Sequence, residues 1–127
     1  MSNLRISEAA ELLGVSDDTV RRWLDEGRLT PVEAPGPRTV RGEDVAALMR
    51  ENAPELPHLR VSARNRFDGI VTRVEKDKVM ALVELQCGPH RVISLMSTEA
   101  AEDLGLVPGV RASASIKSTN VVIEKGE

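Results

Sequence analysis

Rings and sulfur are scarce in this chain. Its 127 residues include one tryptophan, one phenylalanine and no tyrosine. Trp23 and Phe67 stand far apart in the sequence, so there is no array of rings on which single-stranded nucleic acid could stack. A lone cysteine, Cys87, excludes an internal disulfide and a thiolate metal cage, and no cationic metal site is expected. Cys87, His58 and His90 make no triad evident in the sequence, and no phosphate-binding Gly-rich loop ends in Lys-Ser or Lys-Thr. These gaps argue against an enzyme, and against a transporter ATPase in particular. No apolar run approaches ~18 residues and no signal peptide opens the chain, so a cytoplasmic protein with no membrane partner is expected. Net positive charge is missing too. The formal charge is −3, so any duplex binding has to come from a local patch. What is present is apolar material, 41% of the residues, enough for one ordinary domain or two small ones.

The first half has helical periodicity. Ser7 is a candidate N-cap, and Ala9, Leu12 and Leu13 follow at i, i+3 and i+4 on one face. Gly14 ends that helix. Ser16 caps a second, with Asp17 and Asp18 in its first turn, where the macrodipole favours negative charge. Val20, Trp23 and Leu24 repeat the apolar spacing and leave Thr19, Arg21 and Arg22 on other faces. Two short helices joined by a tight Gly14-Val15 turn read as a helix-turn-helix. Arg and Thr on the second helix can reach phosphates and base edges, or they can simply solvate it. Leu29–Val32 and Arg38–Val40 read as two short strands around a turn-rich tip, Glu33-Ala34-Pro35-Gly36-Pro37, and a third helix runs from about Gly42 to Arg50.

The stretches Ala9–Ser16, Thr19–Trp23, Glu26–Leu29 and Glu43–Val45 make residues 4–51 resemble the winged-helix DNA-binding domains of the MerR and excisionase type. The resemblance implies a recognition helix over residues 16–22 and a wing bearing Arg38. The candidate DNA contacts are then Ser16, Thr19, Arg21, Arg22 and Arg38. Where the family's wing has a Gly-His-Arg-Arg-like run, this chain has Gly36-Pro37-Arg38-Thr39, one cation fewer. Residues 1–56 hold seven Arg against eleven Asp or Glu, so one such domain alone should bind duplex weakly. Two or more copies on one operator would compensate.

The composition changes at Glu51–Leu59, where Pro54 and Pro57 mark a spacer with few apolar residues. Residues 1–52 are thus expected to be one domain, 53–59 a linker and 60–127 a second domain. In the second domain the period shortens to alternation. Ile70, Thr72 and Val74 share a face; so do Val79, Ala81, Val83 and Leu85; His90–Met96 follows a Gly88-Pro89 turn. Thr98 is expected to cap a short helix, Glu99–Leu104, before a strand over Val110–Lys117 and a last one over Val121–Ile123. The whole chain is expected to be α+β, with a winged helix-turn-helix followed by a five-stranded OB-like barrel carrying one short helix. Strands apolar on both faces in so small a domain suggest oligomerisation.

Two clusters in this half, Ser62-Ala63-Arg64-Asn65 and Ile116-Lys117-Ser118, each combine a cation with hydroxyls. A site built of such donors suits an anion that only accepts hydrogen bonds. With Gly69-Ile70-Val71, Ser97–Ala100, Leu104-Gly105-Leu106 and Gly109, they make residues 61–123 resemble the Mop, or TOBE-type, molybdate-binding domain. The resemblance implies oxyanion sites between subunits, formed by Ser62, Arg64, Lys117, Ser118 and Ser97, where Ser97 replaces the family's threonine. It also implies a homo-oligomer, a hexamer as a trimer of dimers or failing that a dimer. Molybdate and tungstate are dianions without a proton to donate. Protonated phosphate would leave a donor unpaired in such a pocket, at a cost of ~1–3 kcal/mol. Two functions remain in view. One is a transcriptional regulator that senses molybdate or tungstate and binds double-stranded promoter DNA. The other is a storage or buffering protein for those anions whose helical half binds a protein.

Overall fold

A computed structural model describes residues 3–53 and 60–126. The chain divides into two compact units, Met1–Pro57 and His58–Glu127, each with its own apolar core. Residues 54–59 of the expected linker, His58 among them, lie outside the described residues.

The first unit runs β1 (Asn3–Arg5), α1 (Ile6–Leu13), α2 (Asp17–Asp25), β2 (Thr39–Arg41) and α3 (Gly42–Glu51). Helix α1 starts earlier than its sequence suggests, with Ser7 inside it rather than capping it. The start is secured from within, because the Glu8 carboxylate accepts the Arg5 backbone N–H at 3.0 Å. Gly14, at φ +70, closes α1 by donating to the Ala10 and Glu11 carbonyls, a left-handed cap that suits glycine. Ser16 caps α2 as expected, its Oγ accepting the Thr19 N–H at 3.1 Å. Ala9, Ala10, Val20, Leu24, Leu29, Val40, Val45 and Leu48 form the core, and Trp23 packs on its margin. The wing differs from expectation. Leu29–Val32 forms no strand; a single bridge joins Pro31 to Val40, and β2 pairs instead with β1. Pro31, within the expected strand, supplies no N–H, so the ladder here stops at that bridge and the Val32 N–H bond to the Thr39 carbonyl.

The second unit contains β3 (Asn65–Lys76), β4 (Met80–Cys87), β5 (His90–Ser97), α4 (Thr98–Asp103) and β6 (Arg111–Ile116), then a short 3₁₀ turn over Ser118–Asn120. The strands make one antiparallel sheet in the order β5-β4-β3-β6, with a concave apolar face built on Val71, Val83, Leu85 and Cys87. Strand β3 extends beyond the Ile70–Val74 alternation at both ends. Its first half pairs with β6 and its second half with β4, and the register shifts between Val71 and Arg73. That bulge breaks strict alternation, so Val71 and Val74 point inward while Thr72 is exposed and donates to Glu84. Gly88 and Pro89 connect β4 to β5; Gly88 has φ +60, the geometry of the first central residue of a type II′ turn. The hydroxyl that caps α4 belongs to Ser97, not Thr98: Ser97 Oγ accepts the Ala100 N–H at 3.1 Å. Thr98 is buried and donates to the Asp77 carbonyl at 2.8 Å. A further correction concerns the barrel. Four strands form among the described residues, not five, because Val121–Ile123 has no partner strand, and Val122 and Ile123 are each 84% exposed.

Asp77 shapes the β3–β4 turn, accepting the N–H groups of Val79 at 2.7 Å and Met80 at 2.8 Å. Those two bonds hold its carboxyl below the usual carboxylate range. A depressed folded-state pKa means stability that is full above the unfolded value and lost as pH falls through the folded one. Thermal melts should therefore show the second unit losing stability on the acid side of the ordinary Asp range. Asp77→Ala should melt lower at neutral pH and show a flatter acid limb; identical acid limbs would remove Asp77 from this role.

Candidate functional site

The two donor clusters of the second unit meet through strand pairing. Asn65 lies opposite Ile116 in the β3–β6 ladder, and its side-chain amide donates to the Ile116 carbonyl at 3.2 Å. The exposed turn carrying Ser62 and Arg64 therefore runs into β3 at the point where β6 delivers Lys117 and Ser118. Lys117 occupies the N-cap position of the 3₁₀ turn, its own side chain exposed, as is that of Ser118. Arg64 Nη1 donates to the Val61 carbonyl at 2.7 Å and the Ala63 carbonyl at 3.4 Å. These bonds fold the guanidinium back over its turn and leave its other N–H groups for an acceptor. Sequence reading passed over Asn65 as a site component. It donates nothing outward here but clamps the two clusters together.

Ser97 is not brought to this place. It pairs with Met80 at the end of β5, while Lys76, the last residue of β3, pairs with Ala81. Ser97 thus lies beyond one end of β3 and the Asn65–Ile116 junction lies at the other. The path along the twelve-residue strand is roughly 35 Å at an extended rise. The strand register of one chain gathers four of the five nominated residues near one corner of the sheet and places Ser97 at the opposite corner.

Between the two edge strands lies a concave groove of about 500 Å³ whose walls include Val83, Leu85, Val92, Met96, Leu106 and Val110. Its lining is largely apolar, and no polar side-chain atom is buried without a partner among the described residues. No group of three His, Cys, Asp or Glu that could hold a metal ion occurs there either. No helix of the described residues is long and apolar enough to cross a membrane.

In the first unit the nominated DNA contacts gather on α2 and the segment before β2. The hydroxyls of Ser16 and Thr19 share a hydrogen bond of 2.9 Å, so both take part in the cap. All three nominated cations stand beside carboxylates: Arg21 Nη1 is 3.0 Å from Asp18, Arg22 Nε 3.8 Å from Glu26 and Arg38 Nη2 3.7 Å from Asp25. Arg41 is committed to Glu43 and Asp44, and its hydrogen bonds to Asp44 raise its pKa further above the usual arginine value. Arg28 differs, with its guanidinium carbon 4.7 Å from the centroid of the Trp23 ring. Nothing in the periodicity of the sequence singles out Arg28. The cause is the local turn at the helix end: the chain reverses at Gly27 (φ +80), and the Arg28 N–H bond to the Trp23 carbonyl brings Arg28 back over the helix.

Comparison with known proteins agrees with this division. The family described as "TOBE domain" matches residues 61–123, and the family described as "Helix-turn-helix domain" matches residues 4–53. Molybdenum-pterin-binding protein 3 of Clostridium pasteurianum is 42% identical over 66 residues, which is 51% of this chain and 97% of that protein. The excisionase of Mycobacterium phage D29 is 51% identical over 47 residues, covering 35% of this chain and 82% of the phage protein. Among solved structures, a molybdate binding protein from Sporomusa ovata superimposes with a TM-score of 0.51 at 27% identity, over 53% of this chain and all of that one. The chain therefore belongs to the TOBE, or Mop, family of molybdate-binding domains, joined here to an N-terminal helix-turn-helix domain of the excisionase kind.

Proposed function

We propose that the protein is a cytoplasmic regulator that senses molybdate or tungstate and binds double-stranded promoter DNA, and that it is not an enzyme. One observation carries this reading: the β3–β6 register sets an Arg/Ser cluster beside a Lys/Ser cluster, in a chain that also has a capped helix-turn-helix. In this reading residues 1–52 bind DNA, 53–59 link, and 60–127 bind the anion. Ser16, Thr19, Arg21, Arg22 and Arg38 face DNA. Ser62, Arg64, Lys117 and Ser118 of one copy, with Ser97 of another, hold the oxyanion.

The separation of Ser97 from the other four supports a site shared between copies. So does the open apolar groove, which one chain leaves uncovered. The extended Val121–Ile123 segment would find its partner edge in the same assembly and supply the fifth strand of the barrel. The assembly is a homo-oligomer, a hexamer built as a trimer of dimers or a dimer. An oxyanion store with a protein-binding helical half is the second reading, favoured by the carboxylate beside each nominated arginine.

Calorimetric titration of the full chain with molybdate, tungstate, sulfate and phosphate tests the ligand half of the proposal. Tight binding of molybdate or tungstate and weak binding of phosphate are expected. Equal affinity for all four would leave only a nonspecific anion surface.

A further inference from the structure

The carboxylates around α2 form a pattern with consequences of their own. Asp18, Asp25 and Glu26 each lie within 4 Å of a different DNA-facing arginine, at 3.0, 3.7 and 3.8 Å. The pairs are solvent-exposed: the arginine side chains are 48–63% accessible and the carboxylates 51–94%. Exposed pairs of this kind are weak, so they do not lock the arginines away from a phosphate. Their effect is on the field. Once an arginine swings onto DNA, the carboxylate it leaves stays on the same surface and faces a polyanion. With Asp17 included, α2 and its C-cap carry four carboxylates against two arginines. Sequence-independent attraction to a duplex grows with the phosphates a protein neutralises, and each of these carboxylates opposes it.

We propose that Asp18, Asp25 and Glu26 are specificity-determining residues: they cancel the charge of Arg21, Arg38 and Arg22 and suppress sequence-independent binding by a single copy. The inference rests on the DNA-binding reading above. Base contacts and simultaneous engagement of several copies then supply the affinity that Coulomb attraction does not. Net acidic on its own, such a domain would not be titrated away by bulk chromosomal DNA, where competing sites vastly outnumber operators.

The test uses the full chain, a mixed-sequence duplex and fluorescence anisotropy at about 50 and about 200 mM salt. The variant combines Asp18→Asn, Asp25→Asn and Glu26→Gln, leaving Asp17 to support the start of α2; Arg22→Ala is the control. The triple variant should bind the mixed duplex about tenfold tighter at low salt, with the advantage shrinking at high salt as the charges are screened. Should Asp18→Asn disturb the helix, the Asp25→Asn/Glu26→Gln pair should still bind several-fold tighter. Wild-type protein that loses affinity on Arg22→Ala, alongside carboxylate variants no tighter than wild type, would overturn the inference and leave DNA binding standing. Neither wild type nor variant binding any duplex at low salt would remove the DNA-binding reading, and this inference with it.

Discussion

Lys117→Ala should reduce molybdate affinity of the full chain by about a hundredfold or more while the chain still folds. The side chain is exposed at the end of β6 and makes no packing contact that the core needs, so the sheet has little to lose. The proposed site would lose one of its two cations, Arg64 and Lys117, facing a dianion. Removing one partner of a desolvated charge pair costs about 3–5 kcal/mol, because the remaining charge must then be buried unpaired. Arg64→Ala should do the same, with an added effect: it also frees the Val61 and Ala63 carbonyls that Arg64 now ties. Mixing sharpens the result. Chains carrying Ser97→Ala, reassembled with chains carrying Lys117→Ala, should regain some intact sites, because each contributes the residue the other lacks. Calorimetry on the mixture would read that recovery. No recovery would mean that Ser97 and Lys117 do not complete one site from different chains, full affinity in Ser97→Ala alone would take Ser97 out of the site, and unchanged affinity in both Lys117→Ala and Arg64→Ala would dissolve the site altogether.

Gly69→Ala should be the most damaging single methyl in the second unit. A Cβ at residue 69 would sit 2.7 Å from Cys87 Sγ and closer still to the Gln86 backbone carbonyl. The cysteine could rotate; the carbonyl belongs to β4 and cannot move without disturbing the β3–β4 ladder. Overpacking usually costs about 1–3 kcal/mol, and a clash with backbone belongs at or above the upper end. Differential scanning calorimetry should show the second unit's transition falling by many degrees while the first unit's transition stays in place. A melt like the wild type's would show that the two strands can part without cost. Molybdate should partly restore the transition if the site survives, because a ligand that binds only the folded state stabilises it by mass action.

Much of this architecture was legible in the residues. The Ser16 cap, the Gly14 stop and the i, i+3, i+4 spacing of Val20, Trp23 and Leu24 gave the helix-turn-helix, because local hydrogen bonding and periodicity decide those features. Alternation put Ala81, Val83 and Leu85 on one face, which β4 buries, whereas Val79, assigned to the same face, precedes the strand and is exposed. Other features depended on distant partners. The bulge after Val71 put Thr72 in solvent where strict alternation would bury it, and it arises from the competing registers of β4 and β6 along one long strand. Pro31 thinned the wing to a bridge. Val121–Ile123 has the composition of a strand but pairs with no strand among the described residues, and composition cannot say whether an edge is there. At the proposed site, the donor chemistry of Ser62, Arg64, Lys117 and Ser118 was readable from residue type. The clamp between Asn65 and Ile116 was not, because it joins residues 51 apart. Nor could the sequence show that Ser97 lies at the far end of β3, since only the register fixes that.

Oxyanion binding in the second unit should alter duplex binding by the first. If the anion binds between copies, it must favour the assembled state by linkage. A changed assembly would alter how pairs of helix-turn-helix units span half-sites about one DNA turn apart, or a multiple of it, without touching either recognition helix. The most direct measurement is affinity of the full chain for a promoter duplex with paired half-sites and for a single half-site, each with and without molybdate, in wild type and in Lys117→Ala. Molybdate should change affinity for the paired duplex in wild type, leave the single half-site nearly unchanged, and change neither affinity in Lys117→Ala. Identical affinities with and without molybdate on the paired duplex would contradict it.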